Sequence, residues 1–458
     1  MKTKVTLLLM ALLVGFNTSH AQQDEECMTW LQIFAPYAKS KRYAEAYEPW
    51  SKLRNKCPKF NQAIYAYGDN ILEYKIENST GEEQKGHIND LLKVYTQYNE
   101  YFSSKFPEGK MYVEQAQLMY KYRKELGLSD EEIYNKYNDA FTKDKENFTS
   151  PQGLYTYFSL MVDMFDAKKR EAQEMFDKYD DVSDKILTEV DDNTEKLNKL
   201  VEKEEGGAAL SKREGALKKQ YTRYLEVFDQ ISESMDKKLG DRANCEVLIP
   251  LYEKDFEEYK NDAVWLKRSV SRMYNKECTD SELYTKLVKQ YDATAPTADT
   301  KYFVATLLYA QGKDSEADKY IEQSYNLETD KAKKARLANR IAKKFKSSGK
   351  YGQARKYYRE ALSLNPSDGS PYIQIAIMYA NSANNCGADT FDKRAVFWYA
   401  ANEAEKAGRV DPRLKSTAAQ YAANYRAKAP TKADIFSRGN SGQTINIGCW
   451  IGGSVVVP

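Results

Sequence analysis

The chain has 458 residues, enough for roughly three domains, or fewer if it is a repeat array. Apolar residues make up 42% and charged ones 30%, with 22 Gly and 12 Pro, which excludes collagen-like, disordered and multi-span membrane chains. Net charge is +2; without Lys2 and Lys4 the chain carries 67 basic against 67 acidic side chains, so no general pull toward nucleic acid or anionic lipid is expected.

Residues 1–21 read as a secretory signal peptide. Lys2 and Lys4 form a positive start, Val5 to Phe16 an apolar run, and Ser19-His20-Ala21 a small-residue cleavage site. The run is shorter than the ~20 residues a bilayer needs, and no later stretch approaches that length. The expectation is an exported, periplasmic protein that does not insert in a membrane, in a compartment where disulfides persist.

From residue 22 the pattern is helical hairpins. Cys27 to Pro58 places Trp30, Tyr37, Ala46, Trp50 and Pro58 as a hairpin requires, with Phe34 where a small residue is usual, which predicts a slightly wider pair. Asn61 to Phe102 has Gly68 in its small-residue place and a polar stretch near Glu77–Gly86 that lengthens its turn. Met111 to Phe141 turns at Gly127, and Ser129-Asp130-Glu131-Glu132 is a capping box for its second helix.

Apolar positions then recur three or four apart from Met175/Phe176 through Val201, and again from Leu210 to Met235 after Gly206-Gly207. Two heptad-like helices joined by a glycine turn predict an antiparallel coiled-coil hairpin. Arms of ~30–38 residues would reach roughly 45–55 Å.

Beyond 243, Cys245 to Cys278 forms a hairpin around Lys260-Asn261-Asp262, and Thr279-Asp280-Ser281-Glu282 reads as a second capping box. Ala305, Leu308, Gly312, Ala317 and Tyr320 make one unit; Ile341, Ala342, Phe345, Gly349, Ala354, Tyr358, Ala361 and Pro366 make the next, with Gly312 and Gly349 37 positions apart. Small residues let two antiparallel helices approach while aromatics fill the groove to the next pair. Ser370-Pro371 opens a further unit carrying an insertion at 384–393, with its second helix from about Ala395 to Ala407. A last helix, Leu414 to Ala427, can cap the stack. Thr444–Ile447 and Ser454–Val457 around Gly452-Gly453 suggest a small β-hairpin.

These units match the tetratricopeptide repeat (TPR) pattern of about 34 residues. The chain resembles a family of exported TPR proteins of gram-negative bacteria, on the Cys245…Cys278-Thr279-Asp280 hairpin, the Pro371-Tyr372-Ile373 to Cys386-Gly387 segment and the Gly448-Cys449-Trp450-Ile451 tail. The expected fold is all-α: a TPR-like helical-hairpin solenoid with an inserted antiparallel coiled-coil hairpin and a small C-terminal β-hairpin tail. The expected domains are a signal peptide (1–21), an N-terminal TPR-like array (22–150), a long helical hairpin region (151–242), a C-terminal TPR array (243–428) and the tail (429–458).

The resemblance implies a scaffold binding a protein or peptide on the concave face, and carries no catalytic residues. The residues themselves offer none either. His87 stands alone after the leader, and no metalloprotease, nucleophile-elbow, phosphate-loop or Cys-x-x-Cys motif occurs, so no cofactor or metal and no enzymatic role is expected. The rival expectation is a glycan-binding or glycan-processing envelope protein using aromatic platforms. Candidate concave-face residues lie on the first helices of two units: Tyr302, Thr306 and Tyr309, then Asn339, Lys343 and Lys346. In an antiparallel hairpin the start of the first helix lies beside the end of the second. That geometry pairs Cys27 with Cys57 and Cys245 with Cys278, and leaves Cys386 for Cys449.

Overall fold

A computed structural model describes residues 25–458; the expected signal peptide lies outside them. The chain forms two compact units, one ending at Val182 and the other running from Ser183 to Pro458.

The first unit is a stack of helical hairpins. Its helices are α1 (25–39), α2 (Tyr43–Lys56), α3 (Ala63–Glu77), α4 (Gly81–Phe102), α5 (Glu108–Lys121), the single turn α6 (Arg123–Leu126), α7 (Asp130–Lys143), α8 (Pro151–Asp166) and the start of α9 (Ala172–Glu205). The Ser129–Glu132 capping box opens α7 directly after Gly127, whose φ of 68° ends α6. Between α3 and α4 the chain needs only residues 78–80, so the polar stretch at 77–86 does not lengthen the turn but supplies the first turn of α4.

The tyrosine content goes largely into the seams between these helices. Tyr98 stacks on Phe106 with centroids 4.6 Å apart, and Tyr65 on Tyr98 at 5.4 Å. Trp50 fills the space left by Gly68, where a Cβ would lie 3.0 Å from its ring, and its indole N–H donates to the Ile64 carbonyl at 2.7 Å. Buried Arg54 ties α2 to α4 through 2.8 Å bonds to Gln97 and Asp90. Phe34 is fully buried, edge-on to Tyr67 of the next hairpin. The stack does not stop at residue 150: Tyr157 of α8 packs against Tyr134, Tyr137, Phe141 and Phe148.

The second unit continues α9 and adds α10 (Lys212–Leu239), α11 (Cys245–Tyr259), α12 (Ala263–Asn275), α13 (Glu282–Thr294), α14 (Ala298–Ala310), α15 (Asp314–Leu327), α16 (Lys331–Ser347), α17 (Tyr351–Leu364), α18 (Ser370–Asn381), α19 (Thr390–Val410), α20 (Lys415–Lys428) and α21 (Lys432–Arg438). Strands β1 (Thr444–Ile447) and β2 (Gly453–Val456) pair antiparallel, Ile445 opposite Val455. This is an all-α, TPR-like hairpin solenoid ending in a small two-stranded hairpin. Gly312 and Gly349, both with φ near 70°, make equivalent turns, and the facing alanines Ala305, Ala317, Ala342, Ala354 and Ala361 are buried as close helix contact demands.

Two local expectations need correction. Ser281, not Thr279, caps α13, its hydroxyl accepting from the Tyr284 N–H. The helix α19 begins at Thr390, inside the stretch expected as an insertion, because the Asp389 side chain caps it. The 183–239 stretch of α9 and α10 packs on the array that follows it. Leu197, Val201 and Leu225 bury against Val410, with Tyr372 packed on them. Asn198 accepts from the Ser367 N–H at 3.0 Å, Asp191 pairs with Arg336, and Asp229 with Arg413 at 2.9 Å. The apolar stripe read as a coiled-coil seam is therefore shared between the partner helix and the array. Disulfides join Cys27 to Cys57, Cys245 to Cys278 and Cys386 to Cys449, with Cα separations of 6.2, 5.5 and 5.2 Å.

Candidate functional site

In the second unit α14, α16 and α18 are successive first helices, and side chains on them and on α12, the second helix of the Cys245–Cys278 hairpin, meet along a strip. Tyr274 of α12 and Tyr302 of α14 bring their hydroxyls to 3.1 Å, and the Arg340 guanidinium of α16 lies 4.0 Å from the Tyr302 ring centroid. Arg340 also reaches Asp299 at 3.6 Å. Further along, the Lys346 ammonium donates to the Gln374 carbonyl oxygen at 2.6 Å, linking α16 to α18.

The six candidate residues separate on inspection. Tyr302 is only 2% exposed, so it is a packing residue and not a contact platform. Its pKa is pushed up by burial, partly offset by Arg340. Thr306 turns its hydroxyl back to the Phe303 carbonyl at 2.7 Å. Half-buried Tyr309 donates to Asp318, which Lys350 also holds at 3.1 Å; burial and then that carboxylate raise its pKa. Asn339 donates to Asp368 at 3.2 Å, leaving its amide oxygen buried without a partner. The pKa of Lys346 is lowered, by burial first and then by the like charge of Lys343. Lys343 alone among the six is exposed. Long side chains one helical turn apart were legible from the repeat; their commitment to neighbouring helices was not.

The first unit holds a second polar place. A cavity of 240 Å³ is lined by Glu73 of α3, Tyr95 of α4, Glu114, Gln117, Leu118, Tyr120 and Lys121 around α5, Tyr137 of α7, and Gln152 and Thr156 of α8. Asp69, one turn before Glu73, accepts from the Tyr95 hydroxyl at 2.7 Å. Burial, then repulsion from Asp69, raises the pKa of both Glu73 and Glu114. Lys121 approaches Glu73 at 3.8 Å. The signal that could have found it is Asp69 and Glu73 at i, i+4 on one first helix, matched by Glu114 on the next.

His87 belongs to neither place: it lies on α4, 3.6 Å from Glu83 and edge-on to Tyr47. Among the described residues no group of three or more His, Cys, Asp or Glu side chains is arranged to hold a metal ion. Among them, too, no helix is long and apolar enough to cross a membrane.

No known protein family matches the chain, and no curated protein matches its sequence. Among solved structures it is similar to a tetratricopeptide repeat protein from Parabacteroides merdae, at 12% identity over 68% of this chain and 97% of that one, with a TM-score of 0.25. Yeast Tom70 gives 13% identity over 91% and 90%, with a TM-score of 0.31. The Naa15/Naa10 structure bound to HypK-THB gives 13% over 92% and 74%, with a TM-score of 0.22. Global superposition is low in each case, so the architecture rests on the hairpins of this chain itself.

Proposed function

We propose that this chain is a non-enzymatic, exported scaffold that binds a protein or peptide partner in the periplasm, on the concave face lined by the first helices of its repeats. One observation carries the reading. In the second unit half-buried Tyr274 and Arg340 are held against the buried Tyr302, and half-buried Lys346 against Gln374, in a polar strip with Lys343 standing out of it. Groups held in this way lose little conformational freedom when a partner binds. Repeat arrays expose such extended faces because each hairpin contacts only its neighbours.

The glycan reading has less support. The aromatic side chains it needs as platforms, Trp50, Tyr302 and Tyr358, are buried as packing. Affinity capture from an envelope extract tests the scaffold proposal: a partner retained by the wild type and lost with Lys343→Glu is expected. Turnover of cell-wall or polysaccharide fragments by the purified protein would overturn it.

A further inference from the structure

A groove of 480 Å³ runs along α9 where it meets the start of α16 and the end of α17, within the second unit. Its floor is Val190, Ala332 and Leu364, all half-buried. Much of the charge around it is matched. Arg336 pairs with Asp191, Lys199 with Glu195 at 2.7 Å, and Asp330 caps α16 by accepting from the Lys333 N–H at 2.8 Å. Exposed Asp192 and Glu202 have no ion-pair partner among the described residues, and of the lining cations only Lys331 is left to set against them. An independent observation comes from Asn198. It is 7% exposed, and its amide oxygen accepts from the Ser367 N–H at 3.0 Å. A backbone N–H only donates, which fixes the oxygen on that side and turns the amide nitrogen the other way. That nitrogen is open to the groove and has no hydrogen-bond partner among the described residues. A nearly buried donor left open on a groove marks the place of an acceptor that the chain itself does not supply.

We propose that this groove holds an extended segment of a partner protein along which basic and apolar side chains alternate. This names a partner chemistry for the scaffold reading and rests on it. The amide donor of Asn198 suits a backbone carbonyl oxygen, which every peptide presents. From Val190 to Glu202 the α9 wall is about 18 Å long, the span of about five extended residues. Side chains of an extended strand alternate between two faces, so apolar ones meet the floor while basic ones rise to the rim. Asp192 and Glu202 lie about 15 Å apart along the helix axis, close to the ~13 Å between lysines four positions apart in a strand. The volume falls within the ~300–1,000 Å³ of clefts that enclose a ligand.

The test is fluorescence anisotropy of the purified protein with a labelled, end-blocked Lys-Leu-Ser-Leu-Lys peptide, against Glu-Leu-Ser-Leu-Glu and Lys-Ser-Ser-Ser-Lys. The first peptide is expected to bind about tenfold more tightly than either of the others. Asp192→Asn combined with Glu202→Gln, both on the exposed rim, should weaken it about fivefold without moving the melting temperature. Asn198→Asp keeps the acceptor for the Ser367 N–H and removes the donor. Its added negative charge would by itself tighten a basic peptide, so the expected weakening, again about fivefold, reads the lost hydrogen bond. Should Asn198→Asp fail to fold, the rim variant decides. Glu114→Gln, in the other unit, should leave binding unchanged. Equal binding of the three peptides, no binding, unchanged affinity in the rim variant, or unchanged or raised affinity in folded Asn198→Asp would overturn the proposal. No partner protein enters this experiment, so its failure leaves the scaffold reading to capture from the envelope, where Lys343→Glu decides it.

Discussion

Arg340 covers the ring of Tyr302 at 4.0 Å, and the Tyr302 hydroxyl meets that of Tyr274 at 3.1 Å. A residue placed on the inner helix by the repeat pattern is thus closed in from two neighbouring helices. Tyr302→Ala should therefore cost stability, about 3–5 kcal/mol for loss of a buried aromatic side chain. Tyr302→Phe should cost only about 1 kcal/mol for its hydrogen bond. Urea unfolding measures both; an unchanged midpoint for Tyr302→Ala would mean the ring is not packed as described.

Gly68 is kept small by Trp50. Gly68→Val would push the indole from its bond to the Ile64 carbonyl, and overpacking of this kind costs typically 1–3 kcal/mol. Thermal denaturation of the variant, with Gly86→Val as the control in open space, checks the direction.

The acidic cavity makes a pH-dependent prediction. The carboxyl of Glu114 has its folded-state pKa raised, so its favourable contribution is full when the group is protonated in both states and is lost as pH rises through that folded value. Glu114→Gln should then melt higher than the wild type near neutrality, and the two should converge by about pH 4. A variant that melts lower at neutral pH would show that the carboxylate stabilises the fold.

Trp450 follows Cys449 and packs among Tyr379, Tyr351 and Arg355, its indole N–H donating to Ser382 at 2.9 Å. A two-stranded hairpin is marginal alone, so the Cys386–Cys449 bridge and this tryptophan hold it to the array. The bridge spans 63 residues, worth roughly 4 kcal/mol on the loop-entropy model. Replacing both cysteines by serine should make residues 430–458 sensitive to protease while helical circular dichroism persists. Coincident loss of both signals would mean the tail is part of the core.

Hairpin order was legible because it is a local signal: alanines at 305, 317, 342 and 354, the turn glycines 312 and 349, and the cap at Ser129 act within a few residues. What the hairpins do to one another was not legible. The heptad stripe Ile186–Val201 reads the same whether it meets a partner helix or an array, and Asn198 to Ser367 or Asp191 to Arg336 are contacts that no local pattern encodes. The cavity is not legible for the same reason: Glu73 comes from one hairpin and Glu114 and Tyr137 from the next, and the two carboxylates on each helix alone look like an ordinary solvated face.

The most direct test of the scaffold account is photo-cross-linking in the envelope from a reactive residue introduced at position 343 on α16, compared with one at exposed Gln353 on α17. The account predicts a reproducible protein adduct from 343 and none from 353. Adducts from 353 alone, or none from either position, would contradict it.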